Sequence, residues 1–241
     1  TFQGQIDVVY KQGLDNSAKS GLLHPACIAR DTQHFIDTHP DGRLAITTGC
    51  GGWTNGLFAA KFMRAYRPAQ SIVPAYQYGA IGPDMAMMMG VNVAVQRGVG
   101  PQKGYQGTPT ICLTSDAGVA YSMFELDTAI KYGLPTITVI YNNNAWGVWP
   151  NAARSARSLQ MYLFQENLRY DQMAQGLGAN GELVRTPEQF RAALARAYKL
   201  ARDNKVSTLI NCQATKDFTA SKDYPPGISL PVEPGVGAVA H

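Results

Sequence analysis

The sequence predicts an α/β fold with a mostly parallel sheet and helices on both faces. Three observations support this fold class. Short, continuously apolar segments such as TICLT (110–114) and TITVIY (136–141) have the composition of strands buried on both faces. Segments with helical spacing separate these strands, and Gly and Pro punctuate the connections. Polar residues collect where the strands end, which is where such sheets bind ligands.

Each element can be assigned in chain order. Residues 1–20 are polar and weakly periodic and are interpreted as an incoming linker or N-terminal arm. The main domain is expected over 21–215, and the Pro- and Gly-rich segment 216–241 is expected to be an extended tail. Helices are predicted at 24–38, 53–66, 83–95, 122–131, 168–176 and 187–204. Strands are predicted at 43–47, 71–73, 110–114, 136–141 and 207–212.

The composition narrows the class of protein. The chain has 241 residues, of which 45% are hydrophobic and 16% charged, as in one soluble globular domain. Its net charge of +4 is mild and evenly spread, which argues against nucleic acid. No run of 18 apolar residues or signal peptide is visible, so no membrane partner is expected and a cytoplasmic location is favoured. A peroxisomal or other organellar location stays open. Because the chain begins with Thr1, we expect it to be processed, trimmed or part of something longer.

Cysteine and histidine usage indicates no zinc site. The four cysteines, at 27, 50, 112 and 212, form no CxxC pair, and the four histidines lack ligand spacing. The cysteines are expected to be reduced and buried. The methionines at 85, 87, 88 and 89 are expected to serve packing rather than a substrate pocket.

Two strand ends carry the residues with the clearest chemistry. Asp116 follows the strand at 110–114, and Asn143 follows the strand at 136–141. The two residues are 27 positions apart, and the segment between them holds a loop, a helix and a returning strand, so the two side chains can meet. With the carbonyl of Ala145, they supply three oxygens of the kind that Mg²⁺ prefers. A lone Asp here is usually a helix N-cap and an Asn run is usually a turn, but the pairing favours a metal site.

These motifs resemble those of thiamine-diphosphate enzymes, which carry Gly-Asp-Gly and, 25 to 30 residues later, an Asn-Asn pair. The matching residues are Ser115-Asp116-Ala117 and Asn142-Asn143-Asn144. The resemblance implies thiamine diphosphate and Mg²⁺ as cofactors, with Asp116, Asn143 and the Ala145 carbonyl as metal ligands. It implies cofactor contacts from Gly51, Gly79, Ala117 and Gly118, and a catalytic role for Ile81 as the apolar wedge that keeps the cofactor bent.

Within that family the chain looks most similar to the acetolactate synthase-like superfamily, including 2-hydroxyacyl-CoA lyases and oxalyl-CoA decarboxylases. The resemblance implies a lyase, decarboxylase or carboligase acting on a C–C bond next to a carbonyl, in a 2-oxo acid or an acyl-CoA. It also implies that the catalytic Glu lies on a separate pyrimidine-binding domain or chain, in a homo- or hetero-oligomer (dimer or tetramer). Glu125 and Glu166 are not candidates for it.

Two other interpretations remain. Ser115 and Ala117 replace both glycines of the family motif, and the domain that carries the Glu is missing, so the chain could be a non-catalytic cofactor-binding subunit or a degenerate paralogue. An unrelated Rossmann-like nucleotide binder is disfavoured because no GxGxxG follows the first strand.

Overall fold

The computed structural model describes residues 2–42, 45–49, 58–59, 61–72, 80–147 and 153–216, and confirms the predicted parallel α/β class. The described strands form one sheet in the order β2-β1-β3-β4-β6-β5, and every pair of neighbours is parallel. The strands are β1 (Ile46–Gly49), β2 (Ser71–Ile72), β3 (Thr110–Ser115), β4 (Thr136–Asn142), β5 (Asn180–Val184) and β6 (Thr208–Gln213). The helices are α1 (Phe2–Ser20), α2 (Pro25–Thr38), α3 (Asp84–Arg97), α4 (Asp116–Ser122), α5 (Glu125–Lys131), α6 (Ala156–Gln160), α7 (Tyr170–Gly176) and α8 (Pro187–Asn204).

Helices cover both faces of the sheet, which explains why the central strands are continuously apolar. On one face, α2 and α8 pack against the sheet through residues that include Ile28 and Phe190. On the other face, α3, α4, α5 and α7 pack through residues that include Met85, Leu126 and Tyr170. All residues of β3, β4 and β6 are buried.

The register of the sheet aligns the ends of three strands. Gly49 of β1 pairs with Leu113 of β3, and Ser115 of β3 pairs with Tyr141 of β4. The chain moves from β1 outward to β2 and then crosses back to β3, so the strand order reverses between β1 and β3. The carboxyl edge beside such a switch point is the usual ligand position in open α/β sheets.

Residues 2–20, which the sequence analysis interpreted as a linker or N-terminal arm and for which it predicted no helix, form helix α1. Ile6 and Val9 are buried against Ala29 of α2 and Phe62. Farther along α1, Gly13 lies so close to α2 that a Cβ on it would stand 3.0 Å from the Cβ of Ala26. The buried side of α1 therefore includes glycine as well as apolar residues, which conceals its helical periodicity in the sequence.

Several other elements differ from the sequence prediction in their bounds. The helix predicted at 122–131 begins six residues earlier and is divided into α4 and α5. The strand predicted at 43–47 lies at Ile46–Gly49, with 43–44 outside the described residues. Of the helix predicted at 53–66, residues 58–59 and 61–62 are helical, 63–66 are not, and 53–57 and 60 lie outside the described residues. The sequence analysis missed β5, an edge strand whose first four residues are only partly buried. A strand at the edge of the sheet is less buried than the central strands and therefore lacks their continuous apolar pattern.

Gly181 provides a test of how β5 packs on α7. A Cβ on this residue would stand 2.0 Å from the carbonyl oxygen of Asp171, which is backbone and cannot rotate away. We expect Gly181→Ala to lower the free energy of unfolding by about 1–3 kcal/mol, measured by urea denaturation. The matched control is Gly176→Ala on α7, where the added methyl meets nothing within 4 Å and should be neutral or stabilise by about 0.5–1 kcal/mol. Equal effects would contradict the β5–α7 contact.

Candidate functional site

Asp116 joins two strand ends at the switch-point edge of the sheet. It is the first residue of α4, and the hydroxyl of Ser115 caps the helix by accepting a hydrogen bond from the Gly118 N–H at 3.0 Å. Oδ1 of Asp116 accepts from the Ala117 N–H at 2.8 Å, and Oδ2 accepts from the Ala145 N–H at 3.3 Å. This second hydrogen bond joins the start of α4 to the turn that carries Asn143. Ser115, which departs from the family's glycine, acts here as a helix cap.

Asn143 presents a buried oxygen without a protein partner. Its side chain is fully buried, and its Nδ2 donates to the Gly147 carbonyl at 3.2 Å. Its Oδ1 accepts no hydrogen bond from any described residue. The Ala145 carbonyl accepts one hydrogen bond, from the Gly147 N–H at 2.7 Å, and retains a second lone pair. A buried amide oxygen left without a donor is costly unless a ligand completes it, and Asp116, Asn143 and Ala145 together supply the oxygen donors that fit Mg²⁺.

The three consecutive asparagines have different roles. Asn142 donates from Nδ2 to Oδ1 of Asn211 on β6 at 3.0 Å, and its own Oδ1 accepts from the Asn144 N–H at 3.2 Å. Asn144 has a φ of 55°, a left-handed conformation that Asn tolerates better than most residues. Asn142 and Asn144 thus shape the turn that presents Asn143.

Burial makes the Asp116 site unfavourable for a bare negative charge. Desolvation raises the pKa of the Asp116 carboxyl to about 7, against the lowering effect of hydrogen bonds from the backbone of Ala117, Ala145 and Asn144. A divalent cation next to this carboxylate would favour the charged form.

The start of α3 is packed tightly against the start of α4. The Thr114 hydroxyl donates to Oδ2 of the buried Asp84 at 2.8 Å. A Cβ on Gly118 would stand 2.5 Å from that hydroxyl oxygen, and a Cβ on Gly82 would stand 2.6 Å from the Cβ of Tyr121. Both glycines are therefore required for this close approach.

Ile81 precedes α3 and is 38% exposed. Tyr121 and Phe124, which are 66% and 76% exposed, follow on α4 and its connection to α5, and sequence reasoning did not identify them. The side chain of Trp146 packs edge-on against Phe164, with ring centroids 5.4 Å apart, and lies 6.4 Å from the ring of Tyr121. Met85, which was predicted to serve packing, belongs to the core with 1% exposure.

Some predicted site residues cannot be placed. Gly51 and Gly79 lie outside the described residues, so their contacts with a cofactor remain predictions. Within the described ranges, no group of three or more His, Cys, Asp or Glu side chains could hold a metal. None of the helices in this part of the chain is long and apolar enough to cross a membrane. Glu166 lies on the surface and pairs with Lys216.

The fold and the site define a parallel α/β domain with a buried carboxylate and amide at its switch point. Residues 52–212 match the family model described as the C-terminal TPP binding domain of thiamine pyrophosphate enzymes. The chain therefore belongs to this family, whose members include synthases, lyases and decarboxylases.

Named relatives agree with this placement. The chain is 28% identical over 178 residues to the acetolactate synthase large subunit IlvG of Mycobacterium tuberculosis, covering 73% of this chain and 29% of the relative. It is 26% identical over 137 residues to 2-hydroxyacyl-CoA lyase 1 of Mus musculus, covering 53% and 23%. The chain thus spans less than a third of the length of these relatives.

A solved structure shows the same fold. The thiamine diphosphate-dependent 4-hydroxybenzoylformate decarboxylase of Rhodococcus jostii RHA1 superposes with a TM-score of 0.63 at 21% identity. The superposition covers 83% of this chain and 34% of that one. At this level of identity the likeness establishes the fold alone.

Without a divalent cation, the pKa of Asp116 should make stability depend on pH. The folded value of about 7 lies above the unfolded value of about 3.9, so between them the folded chain holds a proton that the unfolded chain has released. This group therefore makes the free energy of unfolding fall as the pH rises from about 4 to 7, by at most about 1.4 kcal/mol per unit. In EDTA, the free energy of unfolding of Asp116→Asn should decline less over this pH range than that of the parent. The exposed control Asp127→Asn should decline as much as the parent. Equal slopes for all three would refute the assignment.

Proposed function

We propose that this chain forms the diphosphate- and magnesium-binding half of a thiamine-diphosphate-dependent C–C lyase, decarboxylase or carboligase. The observation that carries the proposal is that two buried oxygen groups belong to adjoining turns at the switch-point edge: the Asp116 carboxylate, which accepts from the Ala145 N–H, and Asn143 Oδ1, which has no partner among the described residues. Family membership supports thiamine diphosphate as the cofactor.

The residues of this chain would anchor the diphosphate end of the cofactor. Asp116, Asn143 and the Ala145 carbonyl would hold Mg²⁺, which neutralises the diphosphate. The first N–H groups of α4, at Ala117 and Gly118, lie in the same turn. Ile81 would support the bend of the cofactor. Thiamine diphosphate, when bound, supplies a nucleophilic thiazolium carbon and an electron sink for cleavage next to a carbonyl.

The substrate class is proposed from the relatives. Their names point to acetolactate synthesis and to cleavage of 2-hydroxyacyl-CoA thioesters, so a 2-oxo acid or an acyl-CoA thioester is the substrate we favour. Both share a carbonyl beside the bond that is cleaved or formed, which is the chemistry that this cofactor serves.

The other half of the site would come from a pyrimidine-binding domain or chain with the catalytic Glu. Among the described residues, no Glu lies in the Asp116–Asn143 turns. The exposed Ile81, Tyr121 and Phe124 are large apolar side chains, and Tyr121 packs on the loop next to Ile81. A partner covering this region would remove apolar surface from water, which favours an oligomer.

Cofactor binding should require both a divalent cation and Asp116. Asp116→Ala removes a metal ligand and leaves the diphosphate charge less neutralised. We expect its affinity for thiamine diphosphate in Mg²⁺ to fall at least about tenfold in calorimetry, the lower end of losses seen when even supporting groups of metal sites are removed. Asp127→Ala, which removes an exposed carboxylate from the nearby α5, should bind like the parent. A variant at 116 that binds as tightly as the parent would exclude Asp116 as a ligand.

The half-site proposal predicts slow proton exchange in the isolated chain. With Mg²⁺ and thiamine diphosphate bound, NMR should show exchange of the thiazolium proton no faster than in free cofactor, because the Glu is missing. Adding the pyrimidine-binding domain should accelerate exchange, and Ile81→Ala should reduce that acceleration more than it reduces cofactor affinity. Fast exchange in the chain alone would contradict a half-site, and no acceleration in the complex would favour a non-catalytic cofactor-binding subunit.

A further inference from the structure

A pocket lies among the helices, away from the Asp116 turn. It is formed by α1, α2 and residues 61–64 and has a volume of about 210 Å³. Its described lining residues are Ile6, Arg30, Gln33, Asp37, Lys61, Phe62 and Arg64. None of the described residues assigned above to the cofactor, such as Ile81, Asp116 and Asn143, lines this pocket.

The lining has an excess of positive charge. Among the described lining residues, Arg30, Lys61 and Arg64 carry positive charge, and Asp37 carries the one negative charge. That carboxylate accepts hydrogen bonds from the Gln33 amide at 2.8 Å and from the Tyr66 hydroxyl.

Two acidic residues adjoin the pocket residues in sequence. Asp31, which follows Arg30, is paired with Arg191 at 2.9 Å, and its carboxylate also interacts electrostatically with Arg30. Asp7, which follows Ile6, is exposed. Neither is among the described lining residues, which carry three cations and one carboxylate.

Gln33 holds the wall of the pocket in place. Its Oε1 accepts from the Arg64 N–H at 2.7 Å, while its Nε2 donates to Asp37. This bridge fixes residues 61–64 against α2, so Arg30 and Arg64 line the same space without a large rearrangement. Binding sites are favoured when their charged groups are positioned in advance.

Lys61 is the most desolvated of the three cations. Its Nζ lies 5.8 Å from the centroid of the Phe58 ring, and burial lowers the pKa of its ammonium group to about 8. An anion in the pocket would offset this desolvation and favour the charged form of Lys61.

We propose that this pocket binds the phosphoryl group of a small molecule. Two guanidinium groups can each grip phosphate oxygens with paired N–H donors, and an ammonium adds a compact positive charge. The volume is below the range of about 300–1,000 Å³ that is usual for drug-sized ligands, which suits a phosphoryl group rather than a whole cofactor. The proposal is independent of the function assigned to the strand-end site.

Calorimetry of the 241-residue chain with inorganic phosphate in EDTA tests the pocket, because EDTA removes the metal needed by the strand-end site. We expect Arg30→Gln and Arg64→Gln each to weaken phosphate binding about tenfold, the effect of losing one charged hydrogen bond. Lys103→Gln removes the same charge from an exposed residue that does not line the pocket and should leave affinity unchanged. Thermal unfolding should show that each variant folds.

The pH dependence distinguishes the pocket from general surface charge. Phosphate affinity should fall as the pH rises from 7.5 to 9.5, because Lys61 loses its proton, and Lys61→Arg should remove that fall. Undetectable phosphate binding, an equal loss in Lys103→Gln, or an unchanged fall in Lys61→Arg would overturn the proposal. Coenzyme A forms a second arm: tighter binding than phosphate with the same dependence on Arg30 and Arg64 identifies a nucleotide phosphate as the source, and weaker binding identifies free phosphate.

Discussion

The carboxylate of Asp116 connects the parts of this molecule on which the strand-end site depends. One oxygen accepts from the helix that Asp116 begins, and the other accepts from the N–H of Ala145 in the turn after the next strand. These two contacts hold the ends of β3 and β4 in fixed relation. They are possible because the two strands are parallel neighbours in register, so that both chains leave the sheet at the same edge.

Burial of the polar groups at this site lowers the stability of the isolated domain. A carboxylate and an amide oxygen are both buried at this edge, and the amide oxygen has no donor among the described residues. Burial of this kind is destabilising unless a cation completes it, because desolvated polar oxygens lose their interactions with water. A ligand that binds only the folded state stabilises it. We therefore expect the free energy of unfolding of this domain to rise when the site is filled.

The strand-end site and the pocket among the helices differ in the kind of charged and polar groups that they contain. At the strand ends, a carboxylate and an amide oxygen are buried in backbone turns, and large apolar side chains are exposed nearby. Among the helices, long cationic side chains surround a pocket whose wall is held by the Gln33 bridge. The first arrangement suits a metal ion, whereas the second suits an anion, so one domain offers opposite electrostatic environments in two places.

The sequence by itself determined the fold class, the central strands and the placement of Asp116 and Asn143 at the ends of two neighbouring strands. These follow from local information, since buried parallel strands are continuously apolar and their ends carry the polar residues. Only the tertiary structure decided that residues 2–20 form a helix, because the buried side of α1 includes Gly13 and is recognisable only against α2. It also decided that Ser115 caps α4 and that Tyr121 lies beside the loop of Ile81. Those facts depend on contacts between distant segments, which no local pattern of residues encodes.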